Sequence, residues 1–82
     1  MILVDCNPDP GSRYPYLMAS DECAEELIRF GSSIGLKREW IRNELGLTHF
    51  RINALKRAEA IAHGAREASM KEIIYIVRER AT

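Results

Sequence analysis

Two acids and one histidine are the residues from which a catalytic site would first be assembled. Asp5 follows a short β-branched and apolar run, Ile2-Leu3-Val4, and so sits at the C-terminal end of a strand. Asp21 and His49 complete a set able to bind a metal or move a proton. Nothing in their linear spacing forces them together, and Asp21 already has a role in capping a helix. These three are therefore the candidates should there be catalysis, and the residues themselves favour a protein without it.

Zinc would need Cys6, Cys23, His49 and His63, at spacings of 17, 26 and 14. Structural zinc sites use close ligand pairs, and none is present here. Cys23 falls on an apolar stripe with Leu27, Phe30 and Ile34, which reads as a small core residue. The expectation is no metal and no cofactor. There is no phosphate-cradling glycine loop, no G-x-S-x-G elbow and no H-E-x-x-H.

Charge is more informative. The 82 residues carry no formal net charge. Residues 1–36 nevertheless hold two arginines against six acids, a net of −4, while residues 37–66 hold seven basic residues against three acids, a net of +4. The basic half contains Arg38, Arg42, Arg51, Lys56 and Arg57, with Trp40 and His49 among them. A basic surface of this kind suits an anionic ligand or an acidic partner protein. Tyr14, Tyr16, Trp40 and Phe50 are candidates for a stacking platform, although core packing is the favoured role for them.

The same segment can be read as a helix-turn-helix. Residues 37–45 would form the first helix, 45–48 the turn and 50–62 the second helix, presenting Arg51, Asn53, Lys56 and Arg57 to a DNA groove. Arg42 argues against this, because the two helices touch where it would lie.

The elements that would hold these residues follow from pattern. Residues 2–4 and 14–19 read as strands, separated by a Pro/Gly-rich loop over 7–12. Ser20 or Asp21 would cap a helix that ends at Gly35. A shorter helix would span 36–45 and stop at Gly46. Residues 47–52 are open between turn, strand and helix start. Asn53 would cap a helix burying Leu55, Ala58, Ile61 and Ala62 and ending at Gly64. Residues 66–68 read as a connector or an edge strand. Ser69 and Glu72 form a capping box before a last helix with Met70, Ile73, Ile74 and Val77 inward. The sum is an α/β or α+β fold in one domain. It has a small sheet of two or three short strands packed with three to four helices.

No window of about 18 apolar residues exists, so no membrane span is expected. Two cysteines outside a C-x-x-C pair point to a reducing cytoplasm.

Several blocks resemble a family of short phage and bacterial proteins catalogued as domain of unknown function four thousand and thirty-one. They are Val4-Asp5; Leu17-Met18-Ala19; Glu26-Leu27 with Phe30, Ile34 and Gly35; Arg38-Glu39-Trp40; His49-Phe50; and Lys56-Arg57 leading into residues 60–65. The chain departs from that family's pattern in four places. Tyr16 stands where the family has His, and Ser20 precedes Asp21 where it has Asp directly. Arg42 stands for Gln and Arg51 for Asp. The resemblance implies a phage or prophage setting and a more cationic, non-catalytic version of any polar site at these positions. It also implies a loop or strand after Trp40, against the helix-turn-helix.

The leading expectation is thus a small cytoplasmic accessory protein of phage type. It would bind a protein or anionic ligand through Arg38, Trp40, Arg42, His49, Arg51, Lys56 and Arg57. DNA binding by residues 37–62 and metal-dependent hydrolysis are the alternatives.

Overall fold

A computed structural model describes residues 1–44 and 46–80. Among these, the chain builds five strands and three α-helices in the order β1 Ile2–Asp5, β2 Tyr16–Ser20, α1 Ala24–Ser33, a short 3-10 turn Arg38–Trp40, β3 Arg42–Glu44, β4 Leu47–Ile52, α2 Ala54–Ala62, β5 Arg66–Ala68 and α3 Met70–Arg80. The strands form one sheet in the order β3-β4-β2-β1-β5. Only the β1–β5 pair is parallel; β1–β2, β2–β4 and β3–β4 are antiparallel. The fold is therefore α+β.

Helices cover both faces of the sheet, which explains why β1 and β2 read as unbroken apolar runs rather than as alternating ones. One core joins Ile2, Val4, Met18, Phe50 and Ile52 to Leu27 of α1 and Ala60 of α2. The other joins Leu3, Leu17 and Ala19 to Ile73 and Val77 of α3. Gly31 lets α1 approach the sheet closely: a Cβ there would stand 2.8 Å from the Phe50 ring.

The sheet has more strands than the two or three expected. The expected helix over 36–45 is instead the 3-10 turn followed by β3, and Leu45, its expected last residue, lies outside the described residues. β3 pairs with β4 as a hairpin, with Gly46 at φ +77° in its turn. Arg42, Asn43 and Glu44 are all exposed, so an edge strand of this kind leaves no alternation of burial in the sequence. The helix-turn-helix has no structural basis, since its first helix is the 3-10 turn and β3, and the start of its second lies in β4.

Two further corrections concern helix faces. Leu55, Ala58, Ile61 and Ala62 were expected inward, yet all four are exposed, and α2 buries Ala60 instead. α2 lies on its Lys56–Arg57–Ala60 side because both cations have partners in the body of the fold. Cys23 is not in the core: it is the exposed N-cap of α1 and makes no side-chain cap bond. Ser20 serves this end of the helix from β2, its Oγ accepting from the amides of Glu22 and Cys23 at 3.0 and 3.2 Å. Asn53 and Ser69 cap α2 and α3 as their positions predict, accepting from the amides of Lys56 and Glu72. Both cysteines are free thiols. No described helix is long and apolar enough to cross a membrane.

Candidate functional site

The β3–β4 ladder starts at the Arg42–His49 pair. The chain before it, from Leu36 to Ile41, lies outside the sheet, and a cleft of about 610 Å³ lies between that segment and the end of β4. Its floor is apolar, from Leu36, Ile41 and Ile52. Trp40 and Tyr14 stand at it with about half of their surface exposed. Three cations line it, Arg42, Arg51 and Lys56, against one acid, Glu39. A smaller recess of about 330 Å³ adjoins it, sharing Tyr14, Arg42 and Arg51 and adding Asp9, Ser12, Glu44 and His49.

The cations are held to different degrees. Arg51 projects from the sheet face opposite to that of Phe50 and Ile52. Its Nε donates to the Tyr14 carbonyl at 3.1 Å, and its fork reaches Asp9 at 3.5 Å. Lys56 donates to the Ile34 carbonyl and lies 3.4 Å from Glu59. Arg42 is exposed and pairs with Glu44 at 3.2 Å. Exposed pairs such as Arg42–Glu44 contribute little, about 0–1 kcal/mol. Lys37 places its ammonium 5.6 Å from the centre of the Trp40 ring.

His49 is buried, and its Nδ1 lies 2.9 Å from the Leu47 carbonyl. A carbonyl only accepts, so Nδ1 carries a proton, and in the neutral ring Nε2 is left as an acceptor. Of the seven residues marked in the sequence as ligand-binding, Trp40, Arg42, Arg51 and Lys56 line the cleft, and His49 joins Arg42 and Arg51 at the recess. The two positions where arginine replaces a residue of the resembled pattern, Arg42 and Arg51, are thus brought to one concavity.

Arg38 and Arg57 lie elsewhere. Arg38 is exposed beside Glu25 at 3.8 Å. Arg57 is a clamp between elements: its Nε donates to the Asp5 carbonyl at 2.9 Å, its Nη2 to Glu67 at 2.7 Å, and its guanidinium lies 4.9 Å from the Tyr16 ring centre.

Asp5, Asp21 and His49 do not assemble into one site. Ile2 pairs with Ser20, so Asp21 lies beyond one end of β1 while Asp5 is three residues along at the other, about 10 Å away at strand rise. Asp21 accepts from the Met1 amino group at 2.7 Å, in a group with Glu22 and Glu26 whose carboxylate oxygens lie within 4.8 Å of one another. That amine is held by all three acids, which raise its pKa to about 10 despite partial desolvation. Glu26, against its own desolvation, falls to about 2 through bonds from the amine and Ser20. Asp5 is fully buried. Its Oδ1 accepts from the Leu17 amide at 2.8 Å and its Oδ2 has no protein partner. Burial pushes the Asp5 carboxyl up, and the Leu17 bond with the charges of Arg51 and Arg57 only partly offsets this.

The sequence did not mark the apolar floor of the cleft. Leu36 and Ile52 are also core residues, and nothing in their spacing distinguishes a cavity wall from a packed interior.

A family model described as a protein of unknown function, DUF4031, matches residues 2–80. No curated protein and no solved structure matches the chain.

Proposed function

The chain belongs to the DUF4031 family, and from the geometry of its cleft we propose that it is a non-catalytic binding module for an anionic ligand. The observation that carries this reading is that Trp40, Arg42, Arg51 and Lys56 line one cleft. Its volume of about 610 Å³ lies within the roughly 300–1,000 Å³ of small-molecule sites, which are likewise apolar with a few convergent polar groups. Arg51 is already oriented by the Tyr14 carbonyl, so less freedom is lost on binding. An arginine fork suits phosphate or carboxylate. A phage-type accessory role in the cytoplasm is the cellular setting that we attach to this reading.

Trp40 is the chain's single tryptophan, so its emission reports on the cleft. Titration at low salt with phosphate, pyrophosphate and a polyglutamate peptide should give a saturable change for at least one of them. That change should weaken as salt rises and vanish in Arg42→Glu/Arg51→Glu. A response of equal size in the double variant, or none to any anion in the parent, would refute the reading.

A further inference from the structure

We propose that the anion carries a planar ring, as a mononucleotide does; this rests on the anionic reading above and narrows it. Trp40 and Tyr14 are two of the three exposed aromatic side chains among the described residues, the third being Tyr75. Both stand at the one cleft that also gathers Arg42, Arg51 and Lys56. A simple inorganic anion would use the cations and leave the apolar floor of Leu36, Ile41 and Ile52 wet. A flat ring covers that floor and meets an indole or phenol face. Its phosphate then meets the cations, of which Arg51 is preset.

The adjoining recess supplies the third part of such a ligand. Asp9 and Glu44 there sit beside Arg42 and Arg51, together with Ser12 and His49. Carboxylates disfavour a second anion and accept hydrogen bonds, so the recess suits hydroxyl or amino donors. A ring, a hydroxyl-bearing sugar and a phosphate match the apolar floor, the recess and the cations in turn.

Calorimetric titration of the whole chain with adenosine 5′-monophosphate, adenosine, pyrophosphate and a ten-nucleotide single-stranded DNA tests this. Pyrophosphate carries more charge than the nucleotide, so charge alone ranks it first. The proposal expects the reverse order, with the nucleotide about tenfold tighter and adenosine weaker than the nucleotide. Trp40→Ala should weaken the nucleotide about tenfold, as loss of one stacking partner does, and weaken pyrophosphate, which has no ring to stack, much less. Trp40 is half-exposed, and circular dichroism verifies that the variant folds; Trp40→Phe should restore most of the affinity. If pyrophosphate binds as tightly as the nucleotide, or Trp40→Ala leaves nucleotide affinity intact, the ring is refuted and the anionic reading stands. If neither anion binds, the mononucleotide assignment falls, and the anionic reading falls with it when phosphate and the polyglutamate peptide also fail to bind. If the oligonucleotide binds more than tenfold tighter than the mononucleotide, the ligand is a strand and the mononucleotide assignment is overturned.

Discussion

Arg51 Nε donates to the main-chain carbonyl of Tyr14 at 3.1 Å, across 37 positions of sequence. This bond ties the loop between β1 and β2 to the strand that forms the cleft, and it holds Tyr14 and Arg51 as neighbours. The loop's own closure is a bond from the Asp9 amide to the Pro15 carbonyl at 3.0 Å. Arg51→Lys removes the fork and its fixed direction. The expected outcome is faster hydrogen exchange at the Asp9 amide and a stability loss of about 1 kcal/mol, the worth of one net hydrogen bond. Unchanged exchange at Asp9 would show that the loop is ordered without Arg51.

Gly31→Ala tests the approach of α1 to the sheet. An added Cβ meets the Phe50 ring at 2.8 Å, and that ring is 1% exposed, so it has nowhere to turn. Alanine gains about 1 kcal/mol in helix propensity over glycine, whereas overpacking costs about 1–3 kcal/mol. The net expectation is a loss of about 1 kcal/mol in urea denaturation. A stabilised variant would mean that the core yields at Phe50.

Helix orientation gives a paired prediction. Leu55 is 77% exposed and Ile73 is fully buried. Leu55→Ala should change stability by less than about 0.5 kcal/mol, and Ile73→Ala should cost about 2–5 kcal/mol. Equal losses would contradict the placement of α2 on its Lys56–Arg57–Ala60 side.

The Met1–Glu26 pair predicts a stability plateau with two limbs. Glu26 titrates near 2 in the fold against an ordinary 4.5, so its contribution is complete above 4.5 and is lost as pH falls toward 2. The amine titrates near 10 against an ordinary 8.0, so its contribution is complete below 8.0 and is lost as pH rises toward 10. Glu26→Gln should flatten the acid limb in denaturation midpoints taken across this range. Acetylating the amine should flatten the alkaline limb, and two unaltered limbs would assign them to other groups.

Asp5 works in the opposite sense. Its carboxyl is raised by burial, so the fold holds the proton more tightly than the unfolded chain does. Stability from this group is therefore greatest below its ordinary value of 3.8 and falls as pH rises above it. Asp5→Asn keeps an acceptor for the Leu17 amide and carries no charge. It should match the parent at pH 3 and exceed it at pH 7 in midpoint denaturant concentration. A loss at pH 7 would mean that Arg51 and Arg57 hold the charge more firmly than burial opposes it.

Local chemistry settled much of this protein in the sequence alone. Asn53 and Ser69 announce helix starts because their side chains accept from amides two or three residues on, and Gly35 and Gly64 announce ends because both sit at positive φ. β1, β2 and α3 were legible because a strand buried on both faces and a helix buried on one leave different apolar patterns. The blocks from Val4-Asp5 to residues 60–65, taken together and in order, were enough to indicate the family. The exposed strand β3 left no such pattern, since none of its side chains is inside. The face of α2 was misread because the outward Leu55 and Ile61 form the better apolar stripe, while Arg57 is drawn inward by the Asp5 carbonyl and Glu67. Tertiary structure alone decided that Asp21 lies beyond the end of β1 opposite to Asp5, and that Arg42 and Arg51 line one cleft with Trp40. Such neighbours are made by strand pairing across many residues, and sequence spacing carries no record of it.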